Sequence, residues 1–378
     1  MTVRRLRAAL TAILLGTATA TAALTMAMPA QALTVSAKVG PLVKEAQALI
    51  AAKNYKAAAA KLNEAEAVKS TPDDTTVINQ FKRVIAVSSA DPSTPEGAKA
   101  KFAQDYNAGH FKDVIADADY LRKNNVFDAQ SQLIVGQAYY KANDYAGCVR
   151  YTKTIPQSDT ALELQARCAY ESGDEATQRA AYEQLVARSG KPEYWGGLLK
   201  LGERSRGLND HNTMDINRLR LMMAPSLMTK DDYVSLGQFL IQFQCGAEAQ
   251  AALEKGVAAK LLTDDRSMRL LANAKATAAA NQGDRAKKLA AANAAPQGDD
   301  LVSIGEQMIG EGKAKDAIAM IQNGLKKPLK DPANGQIRLG QAYLVAGQKA
   351  DAQAAFAKVK TPEKDAMVAH LWLLAARR

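Results

Sequence analysis

Small and apolar positions recur along the C-terminal half of the chain at intervals near 34 residues. Leu339-Gly340-x2-Tyr343, Gly347 and Ala352-x3-Phe356 form one set, and Ile304-Gly305-x2-Met308, Gly312 and Ala317-x3-Ile321 repeat it. Leu236-Gly237-x2-Leu240 with Ala249-x3-Leu253 repeats it again. Core positions three to four residues apart read as helix, and the glycine between the halves reads as a turn, so each set predicts two antiparallel helices. Ala317 and Ala352 stand 35 apart, whereas Ala249 and Ala317 stand 68 apart, or two periods. That interval predicts a further unit between them, supplied by the Ala-rich stretch Asp264 to Ala294 with its break at Gln282-Gly283. One helix pair cannot bury its apolar face alone. Stacked pairs need a small residue where helices cross and a larger one a turn away, which accounts for the residue types.

In the N-terminal half, Gly136-Gln137-Ala138-Tyr139-Tyr140-Lys141 precedes Asn143-Asp144-Tyr145 and Tyr151-x-Lys153. Gly109-His110-Phe111 marks the same turn 34 residues before Asn143, and Gly173-Asp174 with Tyr182 marks one after it. The stretch Glu45 to Val68 carries Asn54-Tyr55 at its turn and Ala58-x3-Leu62 on its second helix. Between Ser70 and Pro95 the register lapses, although Thr75 to Ser88 still reads as one helix. From Glu193 to Met228, Tyr194-Trp195-x2-Leu198-Leu199 opens a helix. A longer loop, Arg204 to His211, then leads to Ile216-x2-Leu219, and Pro225 ends the pair.

On these motifs the chain resembles a tetratricopeptide repeat protein, of the kind exported by proteobacteria. The resemblance implies an all-α, right-handed α-solenoid of about nine helix pairs that binds proteins or peptides in its concave groove, with no catalysis and no cofactor. The organisation expected is a leader over residues 1–32, helical repeats over 33–190, an irregular pair with a longer loop over 191–230, and further repeats over 231–378. The last helix, Ala366 to Arg378, is expected to cap the final apolar face. Projected on the first helices, the groove would be lined by Leu133, Gln137, Tyr140 and Lys141, then Arg167 and Tyr170, then Gln238 and Gln242. Amide, aromatic and basic side chains suit a peptide backbone or an acidic tail.

The N-terminus adds a compartment. Arg4, Arg5 and Arg7 precede a weakly apolar run that ends at Ala30-Gln31-Ala32, the pattern of a cleaved signal peptide, so the expected location is the bacterial periplasm. No cysteine follows that site to carry a lipid, and no later segment is long and apolar enough to span a bilayer. Removing the three arginines takes the net charge from +10 to +7, an excess spread among interspersed lysines and glutamates, and export argues against nucleic acid as the partner. Aromatic residues make up 6% of the chain, which with the abundance of alanine disfavours an all-β fold.

Candidate chemistry is sparse. His110, His211 and His370 lie far apart and without zinc-ligand spacing, so no metal site is expected. The pairs Asp73-Asp74, Asp231-Asp232, Asp264-Asp265 and Asp299-Asp300 each open a helix, where carboxylates cap backbone N–H groups. Cys148 and Cys168 fall on neighbouring helices and are either a disulfide or two small buried side chains, with Cys245 left single. An alternative to the protein-binding scaffold is a periplasmic binding protein for cell-wall carbohydrate or another small ligand, with Tyr194, Trp195 and the Arg204–His211 loop forming its pocket.

Overall fold

A computed structural model describes residues 35–89 and 94–378. The leader lies outside the described residues. The described chain is helical throughout, without a strand, and divides into two compact units at Ser172/Gly173. The first unit holds α1 (Val39–Ala51), α2 (Tyr55–Val68), α3 (Pro72–Ser88), α4 (Pro95–Ala108), α5 (Phe111–Lys123), α6 (Ala129–Lys141), α7 (Tyr145–Thr152) and α8 (Asp159–Ser172). The second holds α9 (Glu175–Arg188), α10 (Pro192–Glu203), α11 (Asp210–Met223), α12 (Lys230–Gln242), α13 (Gly246–Ala258), α14 (Asp265–Gly283) and α15 (Arg285–Ala294). It continues through α16 (Asp299–Gly310), α17 (Ala314–Leu325), α18 (Pro332–Val345), α19 (Lys349–Ala357) and α20 (Glu363–Ala376). The unit boundary places α9 in the second unit, apart from the repeats that precede it in sequence.

One turn recurs. A single left-handed residue ends the first helix of a pair: Lys53, Gly109, Asn143, Gln244, Gly312 and Gly347 have φ between 58° and 82°. The next N–H then reaches back across the last turn, as Asp144 N does to Tyr139 O and Gln348 N to Tyr343 O, which satisfies a terminal carbonyl. Asn54 and Asp144, which follow Lys53 and Asn143, cap the second helix by accepting from the backbone N–H of Ala57 and Gly147. Three of the four acidic pairs behave similarly, whereas Asp299 caps no helix and accepts from Lys330 N instead. Asp74 and Asp232 close capping boxes with Thr71 and Thr229, and Asp264 accepts from Ser267 N.

The crossings follow the register read from sequence. A Cβ on Gly340 would lie 2.5 Å from the Phe356 ring, one on Gly305 2.5 Å from Ile321, and one on Gly237 2.8 Å from Leu253. Each of these glycines therefore admits the bulky residue 16 positions on, and Ala249, Ala317 and Ala352 are fully buried beside them. Antiparallel helix pairs thus stack within each unit, giving an all-α solenoid.

The second unit also closes on itself. α20 covers α18 and α19, as a cap should, and packs as well on α9, α10 and α11. Asn212 donates to Asp365 at 2.6 Å, and His370 lies 3.0 Å from Glu183 across that contact. Inside the closure sits a cluster of buried charges. Arg338 binds both oxygens of Asp215, with Nη2 to Oδ2 at 2.7 Å, and Glu306 lies 3.1 Å from Arg338 Nε and 2.7 Å from Arg218 Nη1. Arg218 also reaches Glu248 at 2.6 Å. Burial alone would raise the Asp215 pKa, but Arg338 and Arg218 hold it below the ordinary carboxylate value.

Candidate docking face

The first unit presents one face on which the proposed groove residues of α6 and α8 come together. Helix α6 starts at Asp128, whose carboxylate accepts from Ser131 N at 2.8 Å and from Lys99 Nζ at 2.6 Å. At the crossing, the missing Cβ of Gly136 admits Leu164 of α8, which a Cβ would approach to 2.9 Å. This close approach sets α6 and α8 side by side and brings Tyr140 against Arg167, whose guanidinium carbon lies 5.8 Å from the ring centre. Lys141 reaches the Phe111 ring at 5.6 Å, and Tyr140 and Tyr145 lie 5.5 Å apart. Gln137 accepts from the Tyr106 hydroxyl at 2.7 Å. Leu133 and Gln137 are half-buried, Lys141 and Arg167 are exposed, and Tyr170 is 55% exposed.

Two steps of this face repeat. Tyr106 of α4 meets Gln137 of α6, and Tyr140 of α6 meets Glu171 of α8, each partner 31 residues further along. Burial raises the Tyr140 pKa, the Glu171 carboxylate adds to the rise, and Arg167 opposes it, so the phenol remains a neutral donor at physiological pH. Tyr106 is raised by burial as well. Tyr106, Phe111, Tyr145 and Glu171 were missing from the residues expected on sequence. Tyr106 stands 34 residues before Tyr140, so the repeat period would have found it.

Under this face Cys148 and Cys168 form a disulfide joining α7 to α8, with Cα atoms 5.9 Å apart and both side chains fully buried. They share a core cluster with Val149, Leu164 and Ala169, against which Tyr139 and Tyr140 pack. Cys245 is single and buried in the second unit, where burial raises its thiol pKa well above the usual value.

Gln238 and Gln242 belong to the second unit, where both are exposed and Gln242 donates to Asp210 at 2.9 Å. In that unit Glu306 and Gln341, which follow the crossing glycines as Gln137 follows Gly136, point into the charge cluster and are 3% and 5% exposed. Their helices therefore have no open groove at these positions. Trp195 and Tyr194, expected in a ligand pocket, are instead core residues, 0% and 6% exposed, because the first helix of that pair turns its aromatic side inward. The loop between α10 and α11 borders an open cavity of about 330 Å³ lined by Glu203, Leu208, Thr213, Asn217, Asp231 and Asp232. Arg220 pairs with Glu203 and Asp232.

Among the described residues one group, Asp105, His110 and Asp113, brings donor atoms within 4.8 Å of one another at the α4–α5 turn, with His110 Nδ1 3.2 Å from Asp105 Oδ1. His211 stacks on Phe243 at 3.7 Å, and its burial lowers the imidazole pKa. No helix among the described residues is long and apolar enough to cross a membrane.

Among the described residues, the helical repeats of the first unit carry an exposed face of aromatic and cationic side chains. No protein family matches the chain. No curated protein matches it either. Among solved structures it is similar to the Naa15/Naa10 complex bound to HypK-THB, at 12% identity and a TM-score of 0.36, over 85% of this chain; it spans about half, 53%, of that one. A tetratricopeptide repeat protein from Parabacteroides merdae ATCC 43184 aligns at 14% identity and a TM-score of 0.23, over 75% of this chain and 100% of that one. The TPR domain of P58(IPK) aligns at 12% identity and a TM-score of 0.25, over 90% of this chain and 97% of that one.

Proposed function

We propose that this chain is an exported, non-catalytic scaffold of the bacterial cell envelope that binds an extended, acidic segment of a protein partner along α4, α6 and α8. The observation that carries the reading is the pairing of cations with rings. Lys141 and Arg167 are held over Phe111 and Tyr140, which orients both charges on one exposed face. An acidic peptide laid there meets two oriented cations, the amide of Gln137 and the rings of Tyr140 and Tyr170. Envelope location rests on the leader pattern of the first 32 residues. Arg167→Glu with Lys141→Glu reverses both charges on an exposed surface and should leave the thermal melt in place. Affinity purification of this variant from cells should lose the partner recovered with the wild type. Equal recovery from both would refute the face.

A second reading, small-ligand binding, is favoured by the cavity of about 330 Å³ beside the α10–α11 loop. Trp195 lies on the adjoining helix, so tryptophan fluorescence titrated with cell-wall fragments separates the two. A saturable change supports the ligand, and a flat response supports the protein partner.

A further inference from the structure

We infer that the docking face is assembled by oxidation: the bond between Cys148 and Cys168 sets Arg167 and Tyr170 in register with Tyr140, so the face forms when the chain folds in an oxidising compartment and does not form when it folds in a reducing one. The inference rests on the docking reading above and adds its control. Three observations lead to it. The bond ties α7, a helix of eight residues, to α8, which supplies Arg167, Tyr170 and Glu171. Tyr140 packs directly on the cluster that contains both sulfurs, and Cys148 Sγ lies 3.4 Å from the carbonyl of Gly136 at the crossing of α6. Arg167 is the chain neighbour of Cys168 and lies over the Tyr140 ring, so a shift of α8 at Cys168 is a shift of that cation from that ring.

Two thiols take more room than one disulfide, and the interior around them is closed: Cys148, Cys168 and Ala169 are fully buried, and Leu164 already occupies the space left by the missing Cβ of Gly136. Reduction therefore has to move α7 and α8 apart, at the place where Tyr140 is seated. Burial also fixes when the bond can form. Sealed in the folded unit, the sulfurs are out of reach of an external dithiol or disulfide, so exchange belongs to folding, before α7 and α8 close. One cysteine thiolate attacks a disulfide of an oxidising dithiol protein and expels one of its thiols. The second cysteine thiolate resolves the mixed disulfide and releases the other. The chain loses two electrons and two protons, and the donor disulfide becomes two thiols. A chain that carries an export leader and docks only after this exchange is silent toward partners it meets beforehand.

The test compares full-length oxidised protein with Cys148→Ala/Cys168→Ala and with wild type refolded under reductant. Hydrogen exchange is followed by mass spectrometry, and capture by a photoreactive residue at position 140. Residues 136–141 and 159–171 should exchange at least tenfold faster without the bond, those of α1 and α2 should be unchanged, and capture should fall by a similar factor. Unchanged exchange in both helices overturns the inference, even if capture shows that docking stands. Faster exchange confined to these helices, with nothing captured from oxidised wild type, upholds the redox control and refutes the docking reading. Loss of helix throughout the unit overturns the inference as well, since the bond would then hold the whole unit and not the face.

Discussion

Removing Arg338 tests whether the charge cluster of the second unit is a mutually dependent network. Arg338 is fully buried, Asp215 is 1% exposed and Glu306 is 3% exposed, so Arg338→Met takes the two-oxygen partner from Asp215 and leaves both carboxylates to share the Arg218 guanidinium, 3.3 Å from Asp215 and 2.7 Å from Glu306. Leaving a buried charge without its partner costs about 3–5 kcal/mol. For a unit of some 200 residues, each kcal/mol lowers Tm by roughly 2–4 °C, so the melt should fall by roughly 6–20 °C. Asp215→Leu alone should also destabilise, because Arg338 loses the carboxylate that binds it through two oxygens and keeps only Glu306, which it shares with Arg218. The double variant behaves differently. Glu306 and Glu248 keep Arg218, two apolar side chains fill the space, and the net charge of the cluster is unchanged. Its cost should stay within about 2 kcal/mol of wild type, since buried pairs are often replaceable by apolar residues. Urea unfolding of the four proteins, followed by circular dichroism, gives the coupling energy, expected at about 3 kcal/mol or more. Additive losses, with the double variant as weak as the sum of the singles, would refute the reasoning.

The crossing register is tested by Phe356→Ala and Ala352→Leu. Phe356 is 1% exposed and fills the space over Gly340, so its loss should cost about 3–5 kcal/mol; the leucine should overpack a fully buried site by about 1–3 kcal/mol. Unchanged thermal melts for both would contradict the register. Asp128 gives a pH prediction. Lys99 first, then the backbone and hydroxyl of Ser131, hold its carboxyl at about 2, below the unfolded value near 3.9. The stability it contributes is therefore complete above about pH 4 and is lost as pH falls through about 2. Asp128→Asn keeps the cap and should flatten that part of the pH dependence of the urea midpoint; an unaltered profile would sink the assignment. A non-reducing tryptic digest should yield Cys148 and Cys168 as one linked peptide pair, and two free thiols there would remove the basis for redox control.

The legible part of this fold was local. The small residue at each crossing and its bulky partner 16 positions on lie within one helix pair, so their spacing survives in sequence, and Gly340 with Phe356 was found that way. The turns were legible for the same reason, since Asn143-Asp144 carries both the left-handed residue and the cap. The closure of the second unit left no such trace. Asp215 and Arg338 are 123 positions apart, and each alone reads as a solvated charge on an amphipathic helix. Tyr194 and Trp195 misled for a different reason: a helix rich in aromatics can line a pocket or a core, and here α10 turns both rings into the core. On the docking face, Tyr140 and Arg167 were found from the repeat period, but their contact depended on the approach of α8 at Gly136.

The central claim is that the face formed by α4, α6 and α8 receives a protein partner. It is tested most directly in cells, by photocrosslinking from position 140 of the full-length chain. Position 82, on α3, where Lys82 pairs with Glu66, is the control. One partner should be captured from position 140 and not from 82, and Arg167→Glu should abolish its capture. Capture from neither position, or equal capture from both, would contradict the account.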